Sequence, residues 1–286
     1  MDKVMHFASN SKAKYLALQI ALSLNRGSAT KHNLKTVLND LRESTGIRTL
    51  KKYDAQIRDQ YISILQQRVA NKELSTKTAS NYVTALNQIA VYLNDRNLTV
   101  SAQEFGLSRG SIEYTDKSAS LETHKAFMSY LNSKSDIRYQ ALAIAVELMR
   151  NFGLRAREAI GITRQTIQSA LQTNILALKS KDGTKNSKPR DIPVLSQAQR
   201  QVLQSALSHM RSQHTQHLFD ERQFTRTQAY RFAQSAVQNF KKETNIDYHY
   251  HQERHYYAHE RLQQTNDQLT VARELGHNRL EKTYVS

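Results

Sequence analysis

Apolar residues recur along the first hundred positions at the three-and-four spacing that lays one face of a helix against a core. Tyr15, Leu16, Leu18, Ile20, Ala21 and Leu24 form one such stripe, and Leu34, Val37, Leu38 and Leu41 a second. Ile57, Tyr61, Ile62, Leu65 and Val69 form a third, and Ala79, Tyr82, Val83, Leu86, Ile89 and Ala90 a fourth. Capping chemistry opens the last three, at Ser28-Ala29-Thr30, Asp54 and Ser75. The pattern predicts a four-helix unit over residues 1–106, an ordinary domain size. Periodicity weakens from Thr99 to Thr115, where Gly106, Gly110 and a serine cluster fall, and residues 107–118 read as a linker.

Helical spacing resumes in a second unit, residues 119–286. One helix is expected from Leu121 to Asn132 and another from Ser135 to Asn151, the latter stopped by Gly153; Ala156 to Ile160 starts a further turn. The period then changes. Asn174 to Leu178 and Arg190 to Val194 read as two short strands, and Asp182-Gly183 between them is a strong turn dipeptide. The chain's two prolines, Pro189 and Pro193, sit in or beside the second strand, which suits the edge of a small sheet. After Ser196 the chain is helical again. The fold class is therefore mainly α with a small β-sheet, in two domains.

Charge changes the picture. Lys and Arg number 41 against 25 Asp and Glu, a net charge of +16. Such an excess points to a polyanionic partner, nucleic acid before an acidic membrane surface. With 39% hydrophobic residues the chain can still build a core. There is no cysteine, which excludes a disulfide scaffold, an iron–sulfur site and a thiol nucleophile. No apolar run approaches the ~18 residues of a membrane span. The N-terminus lacks the apolar stretch and cleavage site of a secretory signal.

Four local features carry candidate chemistry. Gly153-Leu154-Arg155-Ala156-Arg157-Glu158 places an arginine just past a glycine turn. A lysine-rich stretch, Lys179 to Lys188, joins the two strands. His251-Gln252-Glu253-Arg254-His255 puts residues 251, 254 and 255 on one helical face. Leu275-Gly276-His277 is followed by Tyr284, two residues from the end. Each has a plain reading taken alone: a surface ion pair, a solvated basic turn, a polar helix face, an isolated His and Tyr. A metal site fares poorly, because His251, His255 and His259 at i, i+4 and i+8 span about 12 Å of helix.

Their order along the chain resembles that of the tyrosine recombinases, the phage-type integrases: Arg, then a lysine hairpin, then His-x-x-Arg-His, then Leu-Gly-His, then a near-terminal Tyr. The resemblance covers residues 120 to 284. It implies that 1–106 is a helical core-binding domain that clamps DNA and that 119–286 is an α+β catalytic domain. It implies that Arg155 and Arg254 clamp the scissile phosphate, that Lys181 is the hairpin lysine, that His251 and His277 are the site histidines, and that Tyr284 is the nucleophile. Glu158 matches the acidic residue of the first motif, and His255 the residue after the second arginine. Lys185 stands second to Lys181, with Lys179 and Lys188 as phosphate-steering charges. Tyr256 and Tyr257 lie inside the His-Arg helix and fit poorly as nucleophiles.

The residue types suit the reaction. Paired guanidinium donors match the oxygens of a phosphodiester better than an ammonium does. A tyrosine hydroxyl with a pKa near 10 needs a neighbour to take its proton. A covalent phosphotyrosine conserves the bond energy, so neither metal nor nucleotide cofactor is required. The implied function is site-specific DNA recombination, through a 3′-phosphotyrosine and a Holliday junction, by a homotetramer on a double-stranded DNA site. A type IB topoisomerase or a non-catalytic, truncated DNA-binding relative are the alternatives. The implied setting is the cytoplasm, for a bacterial or phage-encoded protein associated with the nucleoid, with a mobile element as the source. Relatives continue past the tyrosine with an exchanged segment, so the free protein is expected to be a monomer. Lys52, Arg68, Lys72, Lys77 and Lys185 are candidate phosphate contacts.

Overall fold

The structure, a computed structural model, describes residues 5–108, 117–184 and 189–277. The chain divides into two compact units, Met1–Glu113 and Tyr114–Ser286. Among the described residues no helix is long and apolar enough to cross a membrane.

The first unit is built from α1 (Asn10–Ser23), α2 (Ser28–Thr45), α3 (Ala55–Ala70) and α4 (Thr76–Leu93). Ser9, Asp54 and Ser75 cap α1, α3 and α4 by accepting from backbone N–H groups of the first turn. The cap of α2 lies one residue earlier than its sequence suggests: Gly27 is the N-cap and offers no side chain. Leu16, Ile20, Leu34, Leu38, Leu41, Tyr61, Ile62, Leu65, Leu86 and Ile89 are wholly buried and form the core. Removing each such side chain from water contributes about 1.5–3 kcal/mol. Tyr15, part of the first apolar stripe, instead stays 53% exposed. Leu107 packs into this same core, so the first residue of the expected linker belongs to the helical unit. Most of that linker lies outside the described residues.

The second unit opens with α5 (Leu121–Asn132) and α6 (Ile137–Phe152). A short α7 (Ala156–Gly161) and α8 (Arg164–Thr173) follow, then the strands β1 (Ile175–Leu178) and β2 (Arg190–Pro193). The strands pair antiparallel, with Leu176 opposite Ile192 and Leu178 opposite Arg190. Among the described residues, helices α9 (Gln197–Ser212), α10 (Arg226–Thr244), α11 (Tyr250–Thr265) and α12 (Gln268–Leu275) follow. Helix α6 is its axis. It carries the fully buried Leu142, Val146, Leu148, Met149 and Phe152, and α5, α7, α9 and α11 all pack on it. Phe127 of α5 stacks on Tyr248 at 4.1 Å and meets Phe240 edge-on at 5.0 Å, which fixes the turn into α11. A mainly helical fold with one small sheet is thus what the chain adopts. The separate helix α8 was not distinguished in the sequence.

Candidate active site

The site begins where α6 stops. Gly153 caps that helix in the left-handed region, φ +60°, and a Cβ there would fall 2.5 Å from Cδ1 of Tyr257. Only glycine satisfies both conditions. The turn sends Leu154 into the core and leaves Arg155 as the N-cap of α7. Glu158, one turn on, is wholly buried and accepts from the Arg155 backbone N–H at 2.7 Å and from Arg155 Nη1 at 2.8 Å. Arg190 of β2 grips the same carboxylate, Nη1 to Oε1 at 2.7 Å and Nη2 to Oε2 at 2.6 Å. Burial works against the carboxylate, but the Arg190 bonds and charge outweigh it and push Glu158 down to about 2. The Arg155 side chain keeps 26% exposure.

Helix α11 is locked by a second buried carboxylate. Glu253 accepts from Arg150 Nη1 at 2.7 Å, His124 Nδ1 at 3.0 Å and the Tyr248 hydroxyl at 3.0 Å. His124 also reaches Glu147 at 3.3 Å. Its burial disfavours charge, yet the two carboxylates prevail and raise it to about 9. The next residue, Arg254, is wholly buried and donates to the carbonyls of Gly153 and Leu275. It therefore ties α11 to the α6 turn and to the end of α12. Glu274 reinforces that end, accepting from the Tyr257 hydroxyl at 2.7 Å and from Arg261 Nε at 2.9 Å.

Gly276 terminates α12 at φ +64°, and His277 follows with Nε2 3.2 Å from Arg254 Nη2. Burial, then the charges of Arg254 and Arg155, the nearby His251, and Arg190 hold His277 down to about 3. His251 is open at the surface but partly packed. That packing, with Arg254 and Arg155, lowers it to about 4. Its ring meets that of His255 edge-on at 5.0 Å. The fold thus gathers Arg155, His251, Arg254 and His277 from α7, α11 and the end of α12. It adds Arg190, which the sequence reading missed. The available signal was alternation in β2: Arg190 and Ile192 point inward while Asp191 between them is exposed.

Lys181 lies on a 3-10 turn, Ser180–Asp182, whose anchor is Asp182. That buried carboxylate accepts from Lys179 N at 2.8 Å, the Thr166 hydroxyl at 2.9 Å and Thr163 N at 3.2 Å. Lys181 itself is exposed, and its Nζ donates to Gln165 Oε1 of α8 at 2.8 Å rather than to the residues above. Lys185, Lys188 and Tyr284 lie outside the described residues. Tyr257 is buried against Glu274, which together with burial pushes its hydroxyl well above the ordinary range. The Tyr256 ring lies 3.4 Å from the Arg150 guanidinium carbon. Both tyrosines are built into packing.

In the first unit Lys52, Lys72 and Lys77 are exposed. Arg68 differs: it donates to Asp40 at 2.7 Å and Ser44 at 3.0 Å, bracing α3 against α2. Among the described residues no three His, Asp or Glu side chains are grouped to hold a metal ion.

The Integrase family model matches residues 106–260, over half of the chain. Solved structures with a similar fold include the Tn1549 transposon integrase in complex with transposon right end DNA. It is 15% identical over 96% of this chain and 94% of that chain, with a TM-score of 0.63. The XerH site-specific recombinase bound to difH substrate is 18% identical, over 97% and 80%, with a TM-score of 0.60. A lambda integrase dimer bound to a COC' core site is 12% identical, over 96% and 76%, with a TM-score of 0.61. No curated protein sequence matches.

Proposed function

The chain belongs to the integrase family, and from there we propose that it is a site-specific DNA recombinase that cuts and rejoins duplex DNA through a 3′-phosphotyrosine on Tyr284. The observation that carries the reading is the convergence of Arg155, Arg254, His251 and His277 from three segments of the second unit. Attack on a phosphodiester builds charge on its non-bridging oxygens, and fixed guanidinium donors stabilise that charge without reorganising. Both histidines are neutral near pH 7, so either can accept a proton from the Tyr284 hydroxyl or bond the phosphate. Lys181 supplies a proton to the departing 5′-oxygen after leaving Gln165. A 5′-hydroxyl of a second duplex then reverses the step, through a Holliday junction, within a tetramer that assembles on DNA from free monomers. In this reading 1–106 is the core-binding domain, 119–286 the catalytic domain, and the protein works on nucleoid DNA in the cytoplasm. Structures of similar proteins solved on their DNA sites support the choice of partner.

The reading can be tested without a defined target site. The protein is incubated with a random-sequence duplex library carrying a nick, so that cleavage releases a short strand and traps the covalent complex. Adduct that survives denaturation, with phosphate mapped to Tyr284, is the expected result, and sequencing the trapped DNA gives the site. Phosphate on Tyr256, Tyr257 or any other residue overturns the nucleophile. Binding without adduct indicates a non-catalytic relative. Relaxation of supercoils without exchange between duplexes indicates a topoisomerase.

A further inference from the structure

Arg190 is a cation on the inward face of a strand, 4% exposed, where its charge cannot serve solubility. Its two terminal nitrogens take both oxygens of Glu158, at 2.7 and 2.6 Å. Each of those oxygens is shared with Arg155: Oε1 with Nη1 at 2.8 Å, Oε2 with the backbone N–H at 2.7 Å. The stem of Arg190 lies against the cap of α12, since a Cβ on Gly276 would meet its Cδ at 3.1 Å. One side chain therefore touches the residue that orients Arg155 and the residue that precedes His277.

The charge count gives this contact a purpose. Glu158 paired with Arg155 alone would neutralise the guanidinium meant for phosphate. Paired side-on with Arg190 as well, the three groups carry a net +1, so Arg155 keeps charge to offer while Glu158 still fixes its direction. We infer that Arg190 is a positioning residue of the recombination site, holding Glu158 so that Arg155 is aimed but not neutralised. The inference rests on the recombinase reading.

The test uses duplexes of the sequence trapped by the wild-type chain. Arg190→Met should lower covalent adduct by about 100-fold, the scale expected when a catalytic group is misplaced by about an ångström. DNA affinity by gel shift should change less than about 2-fold, because a buried cation makes no phosphate contact. Arg190→Lys keeps the charge but loses the fork and should recover about a tenth of the wild-type rate. The double variant Arg155→Ala/Arg190→Met should be no slower than Arg155→Ala alone, as two residues acting through one group are not additive. Losses that multiply in the double variant would mean a general structural role and overturn the inference. If Arg190→Met fails to fold, Glu158→Gln/Arg190→Met leaves no unpaired buried charge and should show the same loss of adduct. Undiminished adduct from either folded variant overturns this inference alone. Absence of adduct from the wild-type chain overturns the recombinase reading and this inference with it.

Discussion

His277 Nε2 lies 3.2 Å from Arg254 Nη2, and an arginine has only donors to offer. The nitrogen must therefore accept, which makes His277 a neutral imidazole beside a buried cation. Arg254 is committed at the same time to the carbonyls of Gly153 and Leu275, so its place is fixed before any substrate arrives. In the recombinase reading this is preorganised charge, whose value lies in not having to move.

Stability should peak near neutral pH. His251 and His277 refuse a proton until about 4 and about 3, whereas unfolded imidazoles take one near 6.5. Stability from these two is present above 6.5 and is lost as pH falls below it. His124 keeps its proton to about 9, so its contribution is present below 6.5 and is lost as pH rises toward 9. Thermal melts from pH 5 to 9 should fall on both sides. His124→Gln should remove the alkaline decline, and a wild-type melting temperature that is flat from 7 to 9 would contradict the His124–Glu253 pairing.

The two arginines should separate by what they cost the fold. Arg155→Ala removes a partly exposed side chain and spares the backbone N–H that Glu158 holds. Arg254→Ala leaves two buried carbonyls without donors, at about 1–3 kcal/mol each. Both should slow cleavage by at least ~100-fold while DNA affinity changes much less. Denaturant midpoints should then fall clearly for Arg254→Ala and little for Arg155→Ala. Normal cleavage in either variant would refute the clamp.

Much of this was legible in the sequence because it is local. Helical spacing gave α1 to α6, Asp54 and Ser75 announced their caps, and Gly153 announced the stop that presents Arg155. The motif residues on α11 and at the end of α12 were legible as types in order. What holds them was not. Glu253 finds Arg150 across 103 positions and His124 across 129, and Glu158 finds Arg190 across 32. Beyond the strand alternation that turns Arg190 inward, nothing in the sequence marks which of the 41 cations the fold draws inside. Arg68 illustrates the same limit in reverse, since its surface role was expected and its partners Asp40 and Ser44 lie on another helix.

The lysine can be tested through its leaving group. If Lys181 protonates the 5′-oxygen, Lys181→Ala should cleave ordinary DNA poorly yet cleave a 5′-bridging phosphorothiolate well, because a thiolate leaves without a proton. Arg254→Ala should gain nothing from that substrate, since its defect lies in the charge on the phosphate. Rescue confined to Lys185→Ala would assign the proton to Lys185 instead.

Lys72 sets stability against binding at one position. It follows α3 with φ +61°, the left-handed conformation, with its N–H bonded to Val69 O at 3.1 Å and the next N–H to Arg68 O at 2.9 Å. The other non-glycine residues described in that region are five asparagines and His214, types that tolerate it or bond locally. A lysine there costs about 1–2 kcal/mol of backbone strain. Its charge at a helix C-terminus returns about 0.3–1 kcal/mol. Lys72→Gly should therefore raise the stability of the protein by about 0.5–1 kcal/mol in urea denaturation. If Lys72 neutralises a DNA phosphate, the same substitution should weaken DNA binding and reduce the log–log salt slope by about 0.9. Lys72→Asn, which accepts the conformation without the charge, should behave like the glycine variant in both measurements. A gain in stability with an unchanged salt slope would remove Lys72 from the DNA-contacting surface and leave only its effect on the helix end.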